Sequence, residues 1–337
     1  MIRNLLNSSK NGLTFLAPMV RYSRLPFRLL CRKYGTDVVY SPMFIAEGFS
    51  KSQQARDADF MTSSDDTPLI VQFAAKDPVL FLKSSALVAN SCAGVDLNCG
   101  CPQKWAMSGG LGCEMLNHPD IIQSCVETVR SNIPNLPVSV KIRICTKTHE
   151  TAADCGMGHL EVDGAFHGGC MHRTLELVRT IERAGADFIT IHGRTAQTSS
   201  STPVCMEAIK MIKEAASIPI IGNGDIFSDF DVQNMKEQTN VDGFMSARGL
   251  LQNPSLFYPH FLQRLNVPYE QSIFAHPPIS VFTDFVDISS SFSLPYKLLH
   301  NHIMLMAFPL LAKGERDSLA GCTSPAMLHD FLSYYVT

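Results

Sequence analysis

The chain has 337 residues, which suits one large domain or one large and one small. With 45% hydrophobic and 18% charged residues it is not a disordered chain, and no run approaches the roughly 18 apolar residues of a membrane span. A formal net charge of −3 excludes a wholly basic nucleic-acid binder but not a local basic patch, and the 11 scattered cysteines lack the dense spacing of a secreted disulfide scaffold.

Residues 1–12 read as an N-terminal extension. Met1 to Lys10 lacks acids and carries two basic residues, a faint similarity to a transit peptide that is too short to weigh. Short β-branched, apolar runs then recur, each ending in small or polar residues. They are Leu13–Met19, Asp37–Met43, Pro68–Ala74, Gly94–Gly100, Pro137–Ile144, Ala186–Arg194, Ile218–Asp225 and Gly243–Gly249. Helical patterns lie between most of them, over Leu25–Tyr34, Pro78–Asn90, Pro119–Asn132, Arg173–Ala184 and Met206–Ala216. Asp77-Pro78 and His118-Pro119 have the form of helix starts. Strands apolar on both faces and separated by helices predict a closed parallel α/β barrel, the TIM (β/α)8 fold, over residues 13–253. A doubly wound sheet is the alternative.

The segment from Cys145 to Cys170 interrupts this rhythm. It holds His149, Cys155, His159 and His167, but no CxxC or tight CxxxH pair supplies zinc-ligand spacing. It reads as an insertion, and no metal is expected. After the Asn253-Pro254 boundary, residues 254–337 show helical periodicity alone, notably Val281–Phe292, Tyr296–Leu311 and Pro325–Tyr335. A C-terminal all-helical domain follows from this pattern, with Pro309 kinking or ending the helix it closes.

In a parallel barrel, chemistry gathers at the carboxyl ends of the strands. Those ends deliver Ala17-Pro18-Met19, Gln72, Asn98 with Cys101, Lys141 with Arg143, His192-Gly193-Arg194, Asn223-Gly224-Asp225 and Ala247-Arg248-Gly249. Seven converging polar or special ends are hard to explain as packing. The set makes sense for a flavin. Asn223, Gly224 and Asp225 with Ala247 and Arg248 suit a phosphate site, Lys141 and His192 the pyrimidine edge, Gln72 the same edge, and Met19 the ring face. Cys101, on a loop that Pro102 turns away from the strand, has three possible roles: nucleophile, metal ligand or proton donor. Cys99 alternates to the other face of its strand and is assigned to packing.

These residues together resemble the tRNA-dihydrouridine synthases, most closely the eukaryotic branch acting on D-loop uridines 20a and 20b. The matching stretches are Ala17-Pro18-Met19-Val20-Arg21-Tyr22-Ser23, Val71-Gln72-Phe73-Ala74, Asp96-Leu97-Asn98-Cys99-Gly100-Cys101-Pro102-Gln103, Lys141-Ile142-Arg143-Ile144, His192-Gly193-Arg194-Thr195, Asn223-Gly224-Asp225 and Ala247-Arg248-Gly249-Leu250-Leu251. The resemblance implies reduction of the uracil C5–C6 bond in tRNA. NADPH or NADH reduces FMN, hydride passes to C6, and the family's active cysteine, matched by Cys101, gives the proton to C5. It also implies that Ala17, Pro18, Met19, Gln72, Lys141, His192, Asn223, Gly224, Asp225, Ala247 and Arg248 bind the cofactor. Asn98 and Arg143 are then assigned to the substrate. A base inside folded tRNA must be turned outward to reach such a pocket, and the helical tail resembles the family's tRNA-docking domain.

The basic residues of that tail, Lys297, Lys313 and Arg316, are few, and Arg28, Arg32 and Lys33 read as a solvated helix face. No protein partner and no membrane association are expected, and the location expected is cytoplasmic, with the nucleus the alternative. Two features depart from the family pattern: the 145–170 insertion, and the loop Ala196-Gln197-Thr198-Ser199-Ser200-Ser201, where relatives usually carry basic or aromatic residues. The alternative functions are a non-catalytic tRNA-binding paralogue and a flavin barrel oxidoreductase acting on a free pyrimidine or small enone.

Overall fold

The computed structural model describes residues 2–9, 11–146, 169–268 and 274–336. His149, Cys155, His159 and His167 lie outside the described residues. The ends that flank them are pinned together by a Thr146–Gly169 antiparallel bridge and a 2.7 Å hydrogen bond from Cys170 N to Cys145 O.

Each predicted apolar run contains a strand: β1 (Leu13–Leu16), β2 (Val38–Tyr40), β3 (Leu69–Ala74), β4 (Gly94–Cys99), β5 (Val138–Arg143), β6 (Phe188–His192), β7 (Ile220–Asn223) and β8 (Gly243–Ser246). All pair in parallel with their chain neighbours, and β8 returns to β1 through the register Leu13↔Gly243 to Leu16↔Ser246. That closure distinguishes the TIM barrel from a doubly wound sheet. A two-residue strand, Phe44–Ile45, adds to β3 beyond β2.

Strand alternation divides the buried side chains into two sets. Val95, Leu97 and Cys99 of β4 and Val138, Val140 and Ile142 of β5 point outward into a continuous core shared with the helices, so Cys99 packs there. Leu13, Phe15, Val38, Tyr40, Ile70, Phe188, Ile221 and Met245 point inward and form a separate cluster. Ile2 and Leu6 join that inner cluster from helix Ile2–Ser8, and Arg3 of the same helix pairs with Asp187, the residue before β6. Residues read as an extension therefore close the N-terminal end of the barrel.

The predicted helices appear as Leu25–Lys33, Pro78–Val88, Pro119–Asn132, Met171–Arg183 and Met206–Ala215. Asp77 caps the second by accepting from Val79 N and Leu80 N. Helix Asp229–Thr239 buries only Val232, Met235 and Thr239 among many polar residues, and a stripe that thin leaves no clear periodicity. Short helices Ala46–Lys51, Gln53–Asp59, Tyr258–Arg264 and Lys313–Ala320 were likewise unmarked.

Helices Ile279–Ser291, Tyr296–Ala307 and Pro325–Val336 complete the chain, and Tyr296–Ala307 ends two residues before Pro309. They share the outer core with the barrel through Val281, Phe285, Leu299 and Ile303. The seam runs along helix Leu25–Lys33, where Phe27 meets Phe285 and His302 at ring-centroid distances of 6.1 and 4.4 Å. Arg28 and Arg32 of this helix are not a solvated face, whereas the Lys33 side chain is exposed. Arg28 is buried against Asp66 (2.6 Å) and also holds Ser23 O and Met61 O, Arg32 holds Asp37 O and Pro68 O, and Lys33 pairs with Asp284 at 2.7 Å. Guanidinium donors there satisfy loop carbonyls that the core would otherwise strand.

Candidate active site

β5 carries Ser139, Lys141 and Arg143 at alternate positions, so the three climb the barrel interior toward its C-terminal mouth. Lys141 Nζ donates to Asn223 Oδ1 at 2.8 Å, and Asn223 Nδ2 donates to Met245 O at 2.8 Å, which fixes the orientation of that amide. Burial, helped by Arg143, pulls the Lys141 ammonium down to about 8, while Asp96 opposes the shift. An ammonium has three donors, and among the described residues one is engaged.

His192 ends β6 beside Lys141. Burial, with Arg143, Lys141, Arg194 and Arg248 around it, holds the imidazole well below its ordinary range, so it is neutral. Arg194 Nη1 lies 3.1 Å from His192 Nε2. A guanidinium can only donate, so Nε2 accepts and Nδ1 carries the proton.

Arg194, named at the end of its strand but given no role by the sequence, organises one side of the mouth. It is 3% exposed, pairs with Asp225, and donates to Thr202 O and Ser200 O. The serine-rich loop that departs from the family pattern is thereby tied to β6. Asp225 Oδ1 also takes Arg248 Nη2 at 3.1 Å. Gly224, at φ +121°, lets the turn pass His192, since an added Cβ would stand 2.4 Å from Val204 Cγ1 and 2.9 Å from His192 Cδ2. A cleft of about 60 Å³ between the ends of β7 and β8 is lined by His192, Asn223, Gly224, Asp225, Ala247 and Arg248, with Phe227 under the Arg248 guanidinium. At the end of β1, Ala17 N donates to Ser246 O, and Pro18 and Met19 follow it, both half-buried.

Beside Lys141 and Arg143, at the end of the adjoining β4, stands the Cys101 loop. Asn98 Oδ1 accepts from Gly100 N (3.2 Å) and Cys101 N (3.0 Å), while Arg143 Nε donates to Gly100 O (2.9 Å) and Arg143 Nη1 to Thr195 O (2.8 Å). Cys101 O accepts from Cys113 N at 2.9 Å. Gly112, at φ +63°, permits that approach, because a Cβ there would lie 2.4 Å from Cys101 O. Cys101 is half-buried, whereas Cys99, Cys113, Cys125 and Cys145 are buried thiols whose ionisation burial pushes up, to about 12 for Cys113 and Cys125. Among these it is the thiol with access to the mouth.

Three predicted contacts are redirected. Gln72, expected at the cofactor edge, is wholly buried, with Nε2 on Asp96 Oδ2 and Oε1 on Asn98 Nδ2, both at 2.9 Å. The Asn98 amide, expected on the substrate, is committed to Gln72 and to the Cys101 loop. Arg143, expected likewise, braces two loop carbonyls. The remaining predicted residues do converge on one mouth, where Lys141, Arg143, Arg194 and Arg248 outnumber Asp225. Asp96 lies beneath, its carboxyl pushed up to about 7 by burial. A cation-rich rim over a neutral imidazole and an ammonium suits a planar heterocycle carrying an anionic group. Among the described residues no cluster of three metal-ligating side chains occurs.

A family model described as dihydrouridine synthase (Dus) matches residues 15–164 and 169–275. A Mus musculus tRNA-dihydrouridine(20a/20b) synthase [NAD(P)+]-like protein is 40% identical over 319 residues, covering 94% of this chain and 87% of its own length. The Schizosaccharomyces pombe tRNA-dihydrouridine(20a/20b) synthase [NAD(P)+] is 37% identical over 315 residues, 93% of this chain and 85% of that protein. A solved 2-naphthoyl-CoA reductase in complex with 2-naphthoyl-CoA superposes with a TM-score of 0.50 at 13% identity, over 80% of this chain and 53% of that one. At that identity the likeness is one of fold.

Proposed function

This chain belongs to the dihydrouridine synthase family, and from that premise we propose that it reduces the C5–C6 bond of a D-loop uridine, 20a or 20b, in tRNA. NAD(P)H is the reductant and FMN the bound carrier. The observation that carries this reading is the convergence, on one cation-rich mouth, of the Cys101 loop, Lys141 of the adjoining strand with its partner Asn223, and His192.

The donor set fits FMN. Among the described residues Lys141 keeps two N–H groups for the pyrimidine edge, neutral His192 offers Nδ1–H beside it, and the cleft between β7 and β8 is of phosphate size with Arg248 at its rim. Ala17, Pro18 and Met19 supply an apolar wall. When bound, FMN supplies the two-electron chemistry that side chains lack. Lys141 favours negative charge at the pyrimidine edge. Cys101 Sγ holds the proton delivered to uracil C5, and Asn98 with Arg143 keeps its loop at the mouth. The target base must leave the tRNA stack to arrive there, and the C-terminal helices provide the docking face. Buried thiols at Cys31, Cys99, Cys113 and Cys125 accord with a reducing compartment, the cytoplasm on this reading.

The test is NAD(P)H-dependent dihydrouridine formation on unmodified tRNA by purified, flavin-loaded protein. Cys101→Ala should keep its flavin absorbance and lose activity by about 10²–10⁴-fold, the usual worth of a general acid. Full activity in Cys101→Ala refutes the proton-donor role. Reduction of free uracil without tRNA, or a yellow protein that binds tRNA without product, points instead to the alternative functions.

A further inference from the structure

We propose that Asp96 is a positioning residue for Cys101, acting from inside the barrel through Gln72 and Asn98. The inference rests on the reading of Cys101 as proton donor.

A carboxamide has one donor end and one acceptor end, and its neighbours decide which way it faces. As a carboxylate Asp96 accepts at Oδ2, and Gln72 presents Nε2 to it (2.9 Å). That leaves Gln72 Oε1 facing Asn98, which must present Nδ2 (2.9 Å). Asn98 Oδ1 is then turned toward the chain ahead, where it accepts the N–H groups of Gly100 and Cys101. Ser139 Oγ donates to the second oxygen of Asp96 and anchors the start of the series. Reversing any one amide would set donor against donor or acceptor against acceptor along the rest. Asp96 and Gln72 are 0% exposed, so their influence on the loop passes through Asn98.

The substitutions that separate this role from others are Asp96→Asn, Asp96→Leu and Gln72→Leu in the full chain. An asparagine at 96 can turn its oxygen to Gln72 and its amino group to Ser139 Oγ, since a hydroxyl both donates and accepts. Leucine offers neither. Amide hydrogen exchange at Gly100 and Cys101 is measured without substrate, together with kcat and KM for tRNA and the alkylation rate of Cys101 by iodoacetamide.

In Asp96→Leu and Gln72→Leu, exchange at the two amides should speed up and kcat fall by about tenfold, while KM for tRNA stays within about twofold. Asp96→Asn should stay within about twofold of wild type in exchange, alkylation rate and kcat. Exchange in β6 serves as the control for global unfolding, and Gln72→Met, which conserves volume, replaces any leucine variant that fails to fold. Wild-type exchange at Gly100 and Cys101 in the Gln72 variant overturns the proposal. So does an Asp96→Asn protein as impaired as Asp96→Leu, because charge rather than acceptor direction would then be what matters. A wild-type protein that forms no dihydrouridine refutes the activity reading instead, and the exchange data still decide whether the loop is set from Asp96.

Discussion

The two halves of the barrel interior are built by the same strands and the same alternation, two residues apart, yet they do opposite things. Near the N-terminal end, Leu13, Phe15, Ile70 and Phe188 fill the interior with hydrocarbon, and Ile2 and Leu6 close it. One inward step further along β3, β4, β5 and β6 stand Gln72, Asp96, Lys141 and Thr190, and beyond them Asn98, Arg143 and His192. The lower half draws stability from burial without direction. The upper half carries desolvated polar groups, and Gln72, Asp96, Asn98 and Lys141 are tolerable there because each is held by a polar partner. The fold thus places its least favourable side chains on paired barrel strands.

The largest effect that would sharpen this contrast lies in the lower half. Phe188 is fully buried and its ring centroid stands 6.2 Å from that of Phe15. Phe188→Ala should cost about 3–5 kcal/mol of stability, read by urea unfolding, by loss of transfer free energy and the cavity left behind. Under conditions where the variant is fully folded, its flavin affinity and kcat should match wild type. A folded Phe188→Ala protein with tenfold lower kcat would show that the halves are not separable.

The halves also differ in how far the sequence reveals them. All eight strands are legible, because long apolar runs that stop at small or polar residues have few other readings in a parallel barrel. The strand ends are legible as a group, since their polarity conflicts with burial. What pairs with what is not legible. Gln72 and Asp96 sit 24 positions apart and meet only because β3 and β4 are neighbours in register Gln72↔Asp96. Arg194 and Asp225 meet across β6 and β7, and nothing local marks Arg194 as buried. The N-terminal helix carries its two inner residues, Ile2 and Leu6, at helical spacing, but two positions are too few to register as a periodicity.

The next effect concerns a charge buried in the upper half. Lys141 titrates at about 8 in the folded protein against an ordinary 10.5. Between those values the unfolded chain binds the extra proton, so wild-type stability rises with pH across this window, and the burial penalty is fully present below it. On flavin-free protein, wild type should gain ~3 kcal/mol from pH 8 to 10.5 relative to Lys141→Met, measured as the difference between their unfolding curves. Activity should run the other way, falling as pH rises past about 8 and the ammonium is lost. Parallel pH slopes in the two proteins would mean that Lys141 is effectively solvated, and the reading of the upper half as desolvated would fail.

The smallest effect tests where the upper half ends. Arg248 is half-exposed, stacks 5.2 Å from the Phe227 centroid and reaches Asp225 at 3.1 Å. Asp225 is already held by Arg194 and by Val204 N, so removing Arg248 leaves no unpaired buried charge. Arg248→Gln should therefore change stability by less than about 1 kcal/mol, as for other exposed ion pairs. Its effect should instead appear in FMN affinity, weakened by about three- to tenfold in a fluorescence titration and more at low salt, because the guanidinium faces the cleft between β7 and β8. An unchanged affinity would assign the phosphate to backbone N–H groups alone and move the functional boundary inward, to residues that Arg194 and Lys141 already hold.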